Sequence, residues 1–188
     1  MLSRLMTNWV YGGFLASFVV LALVALFRAG LSAPLLLVVL QLPIYMIHQL
    51  EEHDADRFRR FVNSHIGGGH EVLSTPAVFV INVGGVWGVN LISIWLAATI
   101  DIGFGLIGIY ATLVNAFVHI VAAVVQRQYN PGLVTAIVLF LPAAVVGLWL
   151  VAATGQAGWP YQLTGLAVAI GIHAAIVAHV LRRRRAYA

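Results

Sequence analysis

Six stretches of this chain are each long and apolar enough to cross a lipid bilayer, and no other feature limits its fold so strongly. A spanning helix needs about 20 mostly apolar residues, because in hydrocarbon each backbone amide must find its partner inside the helix. The candidate spans run over residues 9–27, 32–50, 76–99, 102–125, 132–153 and 161–181. With 62% of residues hydrophobic and 9% charged, the 188-residue chain lacks the polar surface to clothe a soluble domain. The first stretch is read as a span and not a signal peptide, since Arg28 ends it and no small-residue cleavage site follows. The expected fold is all-α, a polytopic bundle of six transmembrane helices forming a single domain over residues 1–188.

In a six-span chain the N-terminus, the loops after spans two and four, and the C-terminus share one side of the membrane. Nine of the ten basic residues fall there: Arg4, Arg57, Arg59, Arg60, Arg127 and Arg182 to Arg185. Only Arg28 lies opposite. The positive-inside rule then predicts a multi-pass cell-membrane protein with both termini cytoplasmic. Because the arginines alternate with spans and form no continuous face, the sequence pI near 10 reads as a topology signal, with no nucleic-acid partner. The absence of cysteine excludes disulfides, thiolate metal sites and cysteine nucleophiles. After the second span, "EEHDADRFRRFVNSHI" sets Phe58, Phe61 and Val62 at helical spacing among charges, which predicts a short interfacial helix. "GGGHE" breaks it before Pro76.

The chemistry gathers at the basic end. On a helix, Glu51 lies about 60° to one side of His48 and Glu52 about 40° to the other, so the three share a face, while His53 points about 140° away. Helical bundles present metal ligands to their core in this manner. Asn115 and His119 share a face of the fourth span, and the sixth carries His173. His48, His119 and His173 each precede a basic boundary by eight or nine residues, which puts the three imidazoles in one layer roughly 12–14 Å inside. Asn82 in the third span reaches the same level. Ionisable groups at that depth are expensive, and three histidines with two carboxylates would satisfy one another around a divalent metal, iron or zinc. The expected ligands are His48, Glu51, Glu52, His119 and His173, with Glu51 and Glu52 also as catalytic candidates. Asn82, Asn115, Tyr129 and Asn130 are expected beside them, against substrate or ligands. "QYNPGL" (residues 128 to 133) has a structural account too: Asn130 caps, Pro131 opens a helix, and Gly132 permits a close approach.

"HQLEE" (His48 to Glu52), "NAFVH" (Asn115 to His119) and "YNPG" (Tyr129 to Gly132) occur in an order and spacing that resembles the HXXEE-domain family of small bacterial integral membrane proteins. The resemblance implies a membrane protein without a settled activity, and marks His48, Glu51, Glu52, Asn115 and His119 as signature positions. His173 rests on the depth argument alone. The expected function is a metal-dependent membrane enzyme acting on a lipid or other hydrophobic small molecule. The carboxylate pair favours a di-iron-type oxidoreductase. A zinc-dependent membrane hydrolase is the alternative, with a glutamate as general base. A non-enzymatic carrier of protons or metal is a third reading, weakened by having Asp101 as the lone acidic residue at the far end.

Overall fold

The computed structural model describes residues 1–187, and no strand occurs among them. Seven helices follow in order: α1 (Leu2–Phe27), α2 (Ala33–His53), the short α3 (Arg57–Phe61), α4 (Thr75–Thr99), α5 (Leu106–Gln126), α6 (Leu133–Ala152) and α7 (Trp159–Arg185). All but α3 are long and apolar enough to cross a membrane, so the fold is that of a six-span bundle. The α3 helix falls where the sequence predicts a short one.

Burial sets the helices apart. In the most apolar stretch of α2, 44% of residues are buried, against 17% in α1 and α7. Packed against α1, α4, α5 and α6, α2 is the axis of the bundle, whereas α7 leans mainly on α5. The Ser32 side chain caps α2 by accepting from the Leu35 amide, and Pro34 sits in the first turn, where its missing N–H costs nothing. Its interior stripe is polar as well as apolar: Gln41, His48, Gln49, Glu52 and His53 are all buried. Polar groups inside a membrane bundle must find partners on neighbouring helices. Gln49 does so twice, donating to Asn82 Oδ1 (2.9 Å) and accepting from Trp87 Nε1 (2.6 Å), which ties α2 to α4. Tyr45 donates to Ala111 O and accepts from Asn115 Nδ2, tying α2 to α5.

Three wide, π-helical turns surround α2, at Val62–Ile66, within α4 at Val80–Trp87 and within α6 at Ala136–Phe140. Such turns re-aim side chains and cluster at functional sites. Here they present Asn82 and Trp87 to Gln49, and set the Phe140 ring 4.1 Å from the His48 ring. The small residues of "GFGLIG" pack tightly, with Gly105 against Val38 and Gly108 against Asn90 and Ser93. Gly84 and Gly88 of "GGVWG" face open space, so they provide no close packing.

Beyond His53 the chain reverses through Ala55 (φ 50°) and Asp56 (φ 63°), both left-handed. That conformation costs a non-glycine residue of the order of 1 kcal/mol or more. Nearby arginines brace it: Arg60 donates to Ala55 O, Arg57 to Asp54 O and Leu50 O, and Arg59 pairs with Asp56 and Glu71. The reversal brings α3 back over the end of α2, where Phe58 lies 5.3 Å from the His53 ring and 6.5 Å from that of His119.

Candidate metal centre

At the end of the bundle under α3, α2 and α5 bring His48, Glu52 and His119 together. One ligand atom from each lies within 4.8 Å of the others, and all three residues are buried. Glu52 Oε2 is 3.6 Å from His48 Nε2, and Glu52 Oε1 is 3.5 Å from His119 Nε2. The two imidazole rings sit 5.0 Å apart.

Hydrogen bonds on the far side of each ring set its tautomer. Thr135 has one hydroxyl proton, and Glu51 Oε2 at 2.5 Å takes it, so Thr135 Oγ1 accepts from His48 Nδ1–H at 2.8 Å. Asn130 spends its amide donor on His119 O (2.9 Å), so its carbonyl oxygen accepts from His119 Nδ1–H at 2.7 Å. With both Nδ1 atoms donating away from the cluster, each ring turns its Nε2 toward the Glu52 carboxylate. Metal-binding histidines are oriented in this way, the remote nitrogen held by an oxygen acceptor. His48 Nε2 has no hydrogen-bond partner.

Glu51, expected as a ligand, is turned away and organises α6. It accepts from the amides of Val134 (3.1 Å) and Thr135 (2.7 Å), from the Thr135 hydroxyl, and from Tyr129 (2.8 Å). A carboxylate at a helix N-terminus answers unpaired amides and the positive end of the dipole. The cap of α6 therefore comes from α2, and the Asn130 side chain, expected as a cap, clamps His119. Burial, and then the Glu51 carboxylate, raise the Tyr129 phenol above its ordinary pKa, which keeps it a donor.

Gly132 makes the junction possible. Its φ is +97°, and a Cβ there would stand 2.7 Å from His119 Cε1 and 2.8 Å from His48 Cε1. The "YNPG" turn thus holds one imidazole through Asn130, positions the Glu51 carboxylate through Tyr129, and passes over both rings at Gly132.

The remaining expected residues lie around the cluster. His173 lines the same cavity from α7 but stands outside the His48–Glu52–His119 group, with its Nδ1–H donating to Ala169 O (2.8 Å). Asn82 and Asn115 also line the cavity, bonded to Gln49 and Tyr45. Two participants were missed. Thr135 carries no signal in the sequence, because its role depends on Glu51 and His48 arriving from another helix. His53, read as pointing elsewhere from ideal helical angles, is buried with Nε2 3.1 Å from Glu52 Oε2. His53 is the last residue of α2, with φ widened to −112° before the chain leaves the helix at Asp54, so ideal angles are a poor guide to where its ring goes.

The cluster faces a cavity of about 220 Å³ whose walls are mostly aliphatic and aromatic, among them Phe58, Phe61, Leu73, Val86 and Val180. A polar cluster at one end of an apolar cavity suits a ligand with a hydrocarbon portion.

Fold and site together define a multi-pass helical membrane protein with a His–Glu–His group that could hold a metal ion. The model of a family described as "Protein of unknown function with HXXEE motif" matches residues 39–147, more than half of the chain, and the chain belongs to that family. No curated protein and no solved structure matches it. The matched region contains His48, Glu52, His119 and the "YNPG" turn, and His173 lies beyond it.

Proposed function

We propose that this protein is a metal-dependent membrane enzyme acting on the hydrocarbon part of a lipid or other hydrophobic molecule. Its centre is one divalent cation held by His48 Nε2, His119 Nε2 and a Glu52 oxygen. One observation carries the reading: two imidazole Nε2 atoms and a carboxylate converge in a buried space, each imidazole held from behind at Nδ1 by an oxygen. His48 Nε2 is a buried nitrogen without a hydrogen-bond partner, which costs about 1–3 kcal/mol, and a cation bound there would also engage His119 Nε2 and Glu52. Because Glu51 is committed to α6, the geometry favours a mononuclear site over the dinuclear one that two adjacent glutamates suggest.

Two histidines and one carboxylate with open positions suit ferrous iron in oxidation and zinc in hydrolysis. The apolar wall favours oxidation of a hydrocarbon group. Dioxygen would give one atom to a C–H bond, and the other would leave as water with two protons and two electrons from an external reductant. Hydrolysis is the second reading, supported by His53, which lines both this cavity and a more polar one of about 260 Å³ beneath α1 that offers water a path. A carrier role is less supported, since the far-end Asp101 carboxylate is engaged by the Gly103 amide.

Elemental analysis of the detergent-purified protein tests the centre, beside His48→Ala and His119→Ala. We expect about one iron or zinc per chain, lost in both variants. Wild-type protein that neither carries metal nor takes it up when supplied would overturn the reading and leave a proton shared among the three residues.

A further inference from the structure

One side of the cavity is not closed by packed helices. α4 and α7 flank it without packing against each other along their length. Between them runs a cleft of about 420 Å³, walled by Pro76, Ala77, Val80 and Ile81 on α4 and by Ala175, Ile176 and His179 on α7. Ile81 and Ile176 line the cleft on one side and the cavity of the metal centre on the other. Val80 is 63% exposed and Val177 54%, on surfaces that face hydrocarbon once the six helices are in a bilayer. We propose that this cleft is a lateral portal through which one acyl chain of a bilayer lipid reaches the His48–Glu52–His119 centre.

Size, surroundings and charge favour that occupant. Pockets for compact, drug-sized ligands hold about 300–1,000 Å³. At about 220 Å³ the cavity accepts a segment of a slender chain, and the rest of the lipid stays in the cleft and the membrane. A water-soluble substrate would come from the arginine-bearing end, where α3 lays Phe58 and Phe61 across the cavity. Beyond the cleft residue His179, Arg182 and Arg183 follow at helical spacing on the same face of α7, and arginines just past an apolar span attract anionic headgroups. The tail thus meets an aliphatic cleft and the headgroup a basic rim. The proposal rests on the metal-centre reading for its purpose, though the occupancy it predicts can be measured without metal.

The test is photocrosslinking in nanodiscs of a phospholipid with a diazirine at the end of one acyl chain, mapped by mass spectrometry, with metal content read in parallel. In the wild type we expect adducts on buried residues that line the cavity, such as Val62 and Leu73. Ala77→Trp and Ala175→Trp, which fill the cleft, should cut those interior adducts about tenfold, as expected of a blocked path. Val145→Trp, on the exposed face of α6, should leave them unchanged. Ala175→Leu supplies a milder obstruction if a tryptophan variant loses its cooperative thermal transition. Interior adducts missing in the wild type, or undiminished when the cleft is filled, would overturn the portal. Interior adducts that fall as expected in protein that binds no metal would uphold the portal and sink the metal reading alone.

Discussion

Gly132 concentrates more constraint than any other position near the site, because its left-handed backbone and its missing side chain are both used. A substituent there meets two imidazole carbons closer than van der Waals contact allows. Gly132→Ala is expected to cost about 1–3 kcal/mol of backbone strain and to push His48 and His119 apart. The measurement is thermal unfolding together with metal content, and both should fall. Asn130 is a milder probe. Asn130→Leu keeps the volume but leaves His119 Nδ1 without its acceptor, and loss of such a supporting contact typically weakens metal binding about 10–100-fold. Competition with a graded chelator reads that change, and unaltered affinity would mean that the clamp does not set the tautomer.

At the scale of elements, the two adjacent glutamates have separate work: Glu51 caps α6, and Glu52 faces the histidines. Glu51→Gln turns an amide N–H₂ toward backbone donors or forfeits one of their bonds, and it removes the charge from the helix end. Hydrogen bonds to charged groups contribute about 1.5–3 kcal/mol, so a clear drop in thermal midpoint is expected, with metal content lowered only through the looser fold. Glu52→Gln should do the reverse, keeping the midpoint when both proteins are compared free of metal and losing the metal. If the two variants behave alike, the division of labour is wrong. That division was illegible in the sequence, where periodicity puts both carboxylates on the face of His48. Helix angles describe where a side chain leaves its own helix, and the outcome was decided by the unpaired amides of another. The wide turns inside α4 and α6 were hidden for a related reason: their hydropathy is as uniform as that of the α-helix around them. Hydropathy could read the number and order of the spans, and periodicity the shared face of His48 and Glu52, because each depends on a single helix at a time.

At the scale of the whole molecule, the ends of α2, α5 and α7 and the starts of α1, α4 and α6 lie together, joined by Tyr11 on Asp54, Glu51 on α6 and the stacked rings of His70 and Tyr187. The site and nine arginines thus share one end of the bundle, and the charge bias predicts that this end is cytoplasmic. A chain without native cysteine makes the test direct. In intact cells an impermeant maleimide should label Gln156→Cys and spare Gln128→Cys until the membrane is opened; the opposite pattern would put the site on the outer face. The shared end also bears on how the molecule is made. His48 and His119 are synthesised before the turn that steadies them, since Asn130, Gly132 and Thr135 all follow in the chain. A chain made only as far as the end of α5 contains every residue of the cluster, yet neither ring has the acceptor that fixes its proton. The two rings therefore gain the acceptors that orient them only when α6 docks on α2, with five of the six spans made.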